Sequence, residues 1–299
     1  MIRSSHTPRR GFGLRSLVAA VAVVCSLAAG QQARAADIYV LTNNDGTNSS
    51  GVNFGRINTT SGAYTSISSI SEALTGLTWR DTNQQFYVTD NTVGSFGAPL
   101  RTLTTSGTLS SSLGNTTGAY GLAWRAADDQ LYGMDFDYPA KTFKINPTTA
   151  ALTNLKSSPG MESGGSPGGR YSIMNDVLYL TWSPYSGGGR FGTIGYTATS
   201  TYSGISTDSL YSNMGLANDG TTMYGIFGNG TAGQQQLYTI DVATGGLTAG
   251  PMITGTGLGT YFHGAAIATA VPEPSTYALG AIATGVMAAI ARRRKARKA

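Results

Sequence analysis

The side chains in this sequence that could do chemistry are mostly carboxylates. Asp81 in "WRDTNQQ", Asp128 and Asp129 in "WRAADDQ", Asp176 in "MNDV" and Asp219 in "NDGTT" fall at corresponding places in four successive stretches of chain. Gathered into a ring, their oxygens could bind Ca²⁺ or a sugar. At tight turns the same residue type accepts hydrogen bonds from nearby backbone N–H groups, a reading that needs no ligand. Asp135 and Asp137 in "MDFDY", and the run "NNDGTN" from Asn43 to Asn48, offer more oxygens but lack the spacing and closing Glu of an EF-hand loop. Ca²⁺ is therefore the one metal the sequence admits, and no other cofactor is implied.

Little else points to catalysis, and no catalytic residue is assigned. The only histidine outside the N-terminal segment is His263, so a His-based metal cluster is excluded and a Ser-His-Asp set would have to be assembled by folding alone. No G-x-S-x-G elbow or phosphate-binding glycine loop occurs, and "SGGSPGGR" and "YSGGGRFG" read as flexible loops. Acids that could pair in a glycosidase or lyase are numerous, but spacing does not select a pair. Aromatics are better suited to binding. Trp79 and Trp124 lie at equivalent sites and read as core, whereas Tyr138, Trp182, Tyr185 and Tyr196, on or near loops, are candidates for exposed contact with sugar rings or a partner's apolar face.

The elements that would hold these residues repeat along the chain. Tyr39, Tyr87, Tyr132, Tyr179 and Tyr224 centre "DIYVLTN", "QFYVTDN", "QLYGMDF", "VLYLTWS" and "TMYGIFG", and recur at spacings of 48, 45, 47 and 45 residues. A second series, Ile57, Leu103, Ile145, Ile194 and Ile240, recurs at 46, 42, 49 and 46. Within a unit the alternation has period two, and Gly, Asn, Asp and Pro punctuate each junction. The second unit divides into "LTWR", "QFYVTD", "PLRTLTT" and "TLSSSL", with a tight turn at Ser106-Gly107 before the last. Four short antiparallel strands every 40 to 50 residues are the unit of a β-propeller. The fold class is all-β: a five-bladed propeller over residues 36–270. The first unit lacks a counterpart of "LTWR", while "HGAAIA" from His263 to Ala268 is such a strand with nothing after it. Joining them would close the ring with strands from both termini and hide its sheet edges. A β-helix or a pair of sandwiches would explain the alternation but not this complementary loss.

Both ends carry signals. Residues 1–35 combine Arg3, Arg9, Arg10 and Arg15, the apolar run "LVAAVAVVCSLAA" and "ARA" at Ala33 to Ala35, the three regions of a cleaved secretory signal peptide. "RRGFGL" partly resembles a twin-arginine export motif, from which Pro8 and Gly13 depart. Cys25, the one cysteine, lies in the apolar run, so cleavage would leave a cysteine-free chain. At the other end, residues 271–299 hold Val271, Pro272, Glu273, Pro274, Ser275 and Thr276, then 15 uncharged residues from Tyr277 to Ala291, then Arg292, Arg293, Arg294, Lys295, Arg297 and Lys298. As a helix the uncharged stretch would span about 22 Å, short of a hydrocarbon core of about 30 Å, and the long basic side chains could close part of the gap. The same charges would keep the terminus in the cytoplasm, and the prolines would hold the motif extended outside the membrane. The net charge of +5 belongs to these two segments. Between residues 36 and 276 nine basic residues face 15 acids, which removes the electrostatic case for nucleic-acid binding.

"VPEPST", the apolar helix and "RRRK", in that order at the end of the chain, resemble the PEP-CTERM sorting signal of Gram-negative bacteria. The resemblance covers about the last 29 residues. It implies export, transient anchoring in the inner membrane through a single C-terminal transmembrane helix, recognition by an exosortase-type membrane processing enzyme, and a destination at the cell surface, outer membrane or extracellular matrix. It also implies an association with exopolysaccharide and biofilm, and no particular activity. The expectation is an exported, non-catalytic structural or binding module with extracellular polysaccharide as a partner; the alternative is a secreted propeller hydrolase or lyase acting on polysaccharide or a lactone.

Overall fold

The computed structural model describes residues 37–46, 50–92, 98–116, 121–134, 141–157, 165–184, 188–197, 202–228 and 230–268. The signal peptide, the motif Val271–Thr276, the apolar helix and the basic tail lie outside these residues, as do Asp135, Asp137, Tyr138 and Tyr185.

Alternating short strands and polar turns give five four-stranded antiparallel sheets. Blade 1 contains β1 (Asp37–Asn43), β2 (Val52–Asn58) and β3 (Tyr64–Ile70). Blade 2 contains β4 (Leu74–Arg80), β5 (Gln85–Asp90), β6 (Ala98–Leu103) and β7 (Gly114–Thr116). Blade 3 contains β8 (Gly121–Arg125), β9 (Gln130–Met134), β10 (Lys141–Ile145) and β11 (Leu152–Ser157). Blade 4 contains β12 (Gly165–Met174), β13 (Val177–Pro184), β14 (Arg190–Ile194) and β15 (Tyr202–Thr207), followed by a 3-10 helix, Ser209–Asn213. Blade 5 contains β16 (Met214–Asn218), β17 (Met223–Phe227), β18 (Gln236–Ile240) and β19 (Leu247–Met252). The last strand, β20 (Tyr261–Ile267), pairs antiparallel with β1 from Ile38↔Ile267 to Asn43↔Tyr261 and completes blade 1 as its innermost strand.

The inner strands contact one another in the cycle β20, β4, β8, β12, β16 and back to β20, so the ring is closed. A second tie supports the joint between blades 5 and 1: Tyr64 N–H donates to the Thr254 carbonyl (2.8 Å) and Thr254 N–H to the Gly62 carbonyl (3.1 Å). Gly62 sits at φ +72, where a side chain would be strained and would strike the Met252 carbonyl.

The two repeat series are the packing between blades. The tyrosines occupy the second strand of each blade, and the aliphatic series occupies the third. The aliphatics pair with the residues just before the tyrosines, as in Ile38↔Ile57, Phe86↔Leu103, Leu131↔Ile145, Leu178↔Ile194 and Met223↔Ile240. Neighbouring residues on a strand face opposite sides, so each blade presents its tyrosine to one neighbour and its aliphatic pair to the other. Tyr87 of blade 2 accordingly shares a cluster with Leu131 and Ile145 of blade 3, and Tyr179 of blade 4 with Met223 and Ile240 of blade 5. The core is five such wedges. Between blades 1 and 2 the wedge is aromatic, with Phe86 4.8 Å from both Tyr39 and Trp79 and 5.7 Å from Phe54.

Two stretches differ from their sequence expectation: "SGGSPGGR", read as a flexible loop, enters β12 from Gly165 because its backbone pairs with β13, and the fourth strand of blade 2 begins later than expected. "TLSSSL" does not form the fourth strand of blade 2; that strand is β7, beginning only at Gly114. The turn at Ser106-Gly107 is present, with Gly107 at φ +86 and its N–H on the Thr104 carbonyl. Beyond it, the Ser110 hydroxyl accepts the Thr102 N–H at 2.9 Å, a bond that a regular ladder would assign to a backbone carbonyl. Pairing therefore skips forward and resumes at Leu100↔Gly114.

Candidate functional site

The five aspartates lie at one end of the ring, in the hairpins that join each innermost strand to the next. β4 and β8 both end in Trp-Arg, and each arginine reaches the hairpin of the following blade. Arg80 Nε and Nη2 donate to the two oxygens of Asp129 at 2.8 and 2.5 Å, and Arg125 Nε and Nη2 donate to those of Asp176 at 2.7 and 2.8 Å. These are bidentate clamps between blades 2 and 3 and between blades 3 and 4. Trp124 Nε1 adds a third bond to Asp129 at 3.0 Å, and the Arg80 pairing holds its carboxyl down at about 2. Asp176 is likewise lowered by Arg125, whose guanidinium also lies 4.1 Å above the Tyr196 ring.

Asp128 accepts from Lys144 Nζ and from the Tyr132 hydroxyl, both at 2.8 Å. Burial acts to raise its pKa, but Lys144, Tyr132 and Arg125 outweigh it and the carboxyl is lowered. The same contact, on top of burial, pushes the Tyr132 hydroxyl up to about 12. Asp81 accepts from Trp79 Nε1 at 2.8 Å. Asp219 closes its turn by accepting the N–H groups of Thr221 and Thr222 at 2.9 and 2.7 Å. Protein groups thus contact all five: ion pairs at Asp128, Asp129 and Asp176, an indole N–H at Asp81 and turn N–H groups at Asp219. Among the described residues no set of three His, Cys, Asp or Glu could hold a metal ion. In "NNDGTN", Asn43 Oδ1 accepts the Gly46 N–H at 3.1 Å and its amide donates to Ser50.

His263 lies on β20, 3% exposed, and burial, with the Arg170 charge nearby, drives its pKa down to about 3 against a weaker opposing pull from Asp45. Arg170, on β12, donates to the Phe262 carbonyl at 2.8 Å. β12 and β20 are not neighbours in the ring, so this side chain bridges the interior, and desolvation lowers it to about 10.

The aromatic candidates separate. Trp79 is core, as expected, and Trp124 is half-buried against the wedge between blades 2 and 3. Trp182, expected to be exposed near a loop, is instead 4% exposed on β13 within the wedge between blades 3 and 4. Its position in the alternation explains this: Leu178, Leu180 and Trp182 share one face, and that face is covered. The indole nevertheless borders a cavity of about 380 Å³ on blade 4, whose walls also include Arg190, Tyr202, Gly204, Ser206 and Thr207. Trp182 and Tyr202 meet edge to face at 5.9 Å. Tyr196 is half-buried, 4.9 Å from Tyr132. Sequence reasoning missed Arg190 and Tyr202, which come together with Trp182 only across strands. It also passed over Arg80 and Arg125, whose shared place after Trp at a spacing of 45 residues was a usable signal.

Residues 270–295 match the family described as the PEP-CTERM protein-sorting motif. The chain therefore carries that motif behind a five-bladed propeller, and the motif implies an exported protein, transiently anchored at the membrane and processed there by an exosortase. No curated protein matches the sequence. Among solved structures the chain is similar to an engineered GH43 glycoside hydrolase displaying endo-xylanase and exo-arabinofuranosidase activity (TM-score 0.52, 10% identity, 80% of this chain and 55% of that one). It is similar to a protein of unknown function from Bacteroides thetaiotaomicron (TM-score 0.50, 14% identity, 78% and 64%) and to TolB from Acinetobacter baumannii (TM-score 0.48, 10% identity, 76% and 56%). The chain thus spans between 55% and 64% of the length of these three, and at such identities the likeness is one of fold alone.

Proposed function

We propose that this exported propeller, carried to the membrane by its PEP-CTERM tail, is a non-catalytic binding module of the cell surface or extracellular matrix, and that it holds polysaccharide there in support of biofilm. The supporting observation is the cavity on blade 4, at the end of the ring away from Ile267. β20 runs toward the hairpin end of the ring and finishes at Ile267, three residues before the matched motif begins. Trp182, Arg190 and Thr207 lie at the opposite end of their sheet, where β13 ends and β14 begins. The clamped aspartates thus lie at the end of the ring where β20 finishes, and this cavity lies at the other end. Aromatic edges, hydroxyls and a guanidinium are the groups that hold sugars. The carboxylates that a glycosidase would need as acid and base are, at Asp128 and Asp129, already neutralised by Lys144 and Arg80.

The reading includes a division of the chain into a signal peptide at 1–35, the propeller at 36–270 and a removable tail at 271–299. Its test is twofold. Intact-mass analysis of protein from cells with and without the exosortase should give a chain beginning at Ala36, with its tail lost only when the enzyme is present; a terminus at Ala299 in both strains would overturn the sorting step. Affinity electrophoresis of the full chain against exopolysaccharide from the same cells should show retardation without release of new chain ends. Release of chain ends would establish the hydrolase or lyase alternative instead.

A further inference from the structure

One level of the inner strands breaks the likeness between blades. Leu77, Leu122, Tyr171, Leu216 and Ala265 each pair with the residue after a blade's tyrosine: Val88, Gly133, Leu180, Gly225 and Val40. The residues just before them, Gly76, Gly121, Arg170, Gly215 and Gly264, therefore form one layer around the ring, and four of the five have no side chain. At Gly215 and Gly264 an added Cβ would point at the inner strand of the next blade, approaching Ala265 and Leu77. By the same geometry Arg170 leaves β12 toward blade 5. It reaches further: its Nη2 donates to the Phe262 carbonyl of β20, in blade 1, at 2.8 Å.

β20 is the inner strand most in need of such a partner. Inner strands are hydrogen-bonded to their sheets on one side, so the backbone groups of the other edge face the axis. A buried carbonyl left unpaired there costs stability, and a guanidinium, with five N–H groups in a rigid fork, is suited to supply a donor. β4, β8, β12 and β16 are also joined to their neighbours by hairpins of two to four residues. β20 has no such hairpin, because its partner β1 comes from the other end of the chain. The sorting motif begins three residues after Ile267, so while the chain is anchored any pull on the tail enters the ring through β20. Desolvation lowers the Arg170 pKa only to about 10, which leaves the side chain a cation at neutral pH, and His263, within reach of that charge, is kept neutral and adds no repulsion.

We propose that Arg170 is a strap across the axial channel, which pins the closing strand β20 from blade 4 and keeps the ring shut at the one blade whose strands come from both ends of the chain. The proposal rests on the closed ring and is independent of the polysaccharide reading. A glycine at this position, as in the other four blades, would leave β20 held from the side, by its ladder with β1 and by the packing of the two wedges it borders.

The test is amide hydrogen exchange, read by mass spectrometry on the purified full chain in detergent. It compares β20 with β8, which lies on the side of β12 away from the strap. Arg170→Ala should speed exchange in β20 by about tenfold or more and in β8 by less than about twofold, because the strap restrains local opening of one strand. Guanidinium chloride at about 20 mM, far below denaturing concentrations, should restore protection to β20 in this variant where the same concentration of sodium chloride does not. Arg170→Lys keeps the cation but loses the fork, and should speed exchange in β20 several-fold with β8 unchanged. Should the alanine variant fail to fold, the lysine variant decides in the same way. Unchanged exchange in β20, or equal acceleration in β20 and β8, would overturn the strap and leave Arg170 as an ordinary contributor to stability.

Discussion

Gly264, on the closing strand, tests the ring directly. A Cβ at this position would sit 2.7 Å from Leu77 Cβ, 2.8 Å from Leu77 N and 3.0 Å from the Gly76 carbonyl carbon, all on β4 of the neighbouring blade. None of these atoms is the end of a flexible side chain, so Gly264→Ala must push two inner strands apart by roughly 0.7 Å to restore ordinary contact. Overpacking of this kind costs about 1–3 kcal/mol, and rigid obstructing atoms favour the upper half of that range. The alanine regains about 0.4–1 kcal/mol by restricting the unfolded chain. The net expectation is a loss of about 2 kcal/mol, or a melting temperature lower by about 4–8 °C for a domain of this size. Thermal and urea unfolding followed by tryptophan fluorescence measures it. Gly215→Ala, on inner strand β16, is the control, because its Cβ would approach Ala265 Cβ no closer than 3.6 Å and should be neutral. If Gly264→Ala melts with the wild type, or the control loses as much, the inner strands do not close as described.

Three further outcomes follow from the same contacts. Asp129→Asn should destabilise by about 1 kcal/mol after allowance for the solvent around a carboxylate 46% exposed, and the effect should shrink in high salt. Since folding lowers that carboxyl from 3.8 to about 2, the stability it contributes is complete above about pH 4 and is lost as pH falls toward 2, so the variant's acid denaturation curve should be shallower there. His263 is kept neutral in the fold, its pKa lowered from 6.5 to about 3; the unfolded chain takes up the proton first, so stability should decline as pH drops from 6.5 toward 3, and His263→Gln should flatten that decline in urea titrations. Phe86→Ala, at a fully buried ring between Tyr39 and Trp79, should cost about 3–5 kcal/mol by urea denaturation and change the Trp79 emission of the folded state.

Blade number and closure were legible because each depends on residues that recur. A tyrosine one position beyond the partner of an aliphatic appears in every unit, since every gap between blades needs the same two contributions. The missing first strand and the orphan "HGAAIA" announced β20 for the same reason: an unpaired inner strand would leave both a sheet edge and a wedge uncovered. The fourth strand of blade 2 was misplaced because a hydroxyl hydrogen bond at Ser110 has no signature in period-two alternation. Trp182 reads from the sequence as lying on or near a loop and open to contact, whereas the phase of β13 turns it inward.

By itself the sequence determined the repeat, the count of blades, the closing strand and the sorting tail, all of which are written in local pattern: periodicity, turn residues, and an ordered run of motif, apolar stretch and basic cluster. Only the tertiary structure decided which side chains meet. Arg80 reaches Asp129 across 49 positions and Arg125 reaches Asp176 across 51, and the Trp182, Tyr202 and Arg190 corner is drawn from three strands of one blade. The physical reason is that strand pairing and blade rotation set these distances, and a one-residue change of register would send each side chain to the other face while leaving the sequence pattern intact.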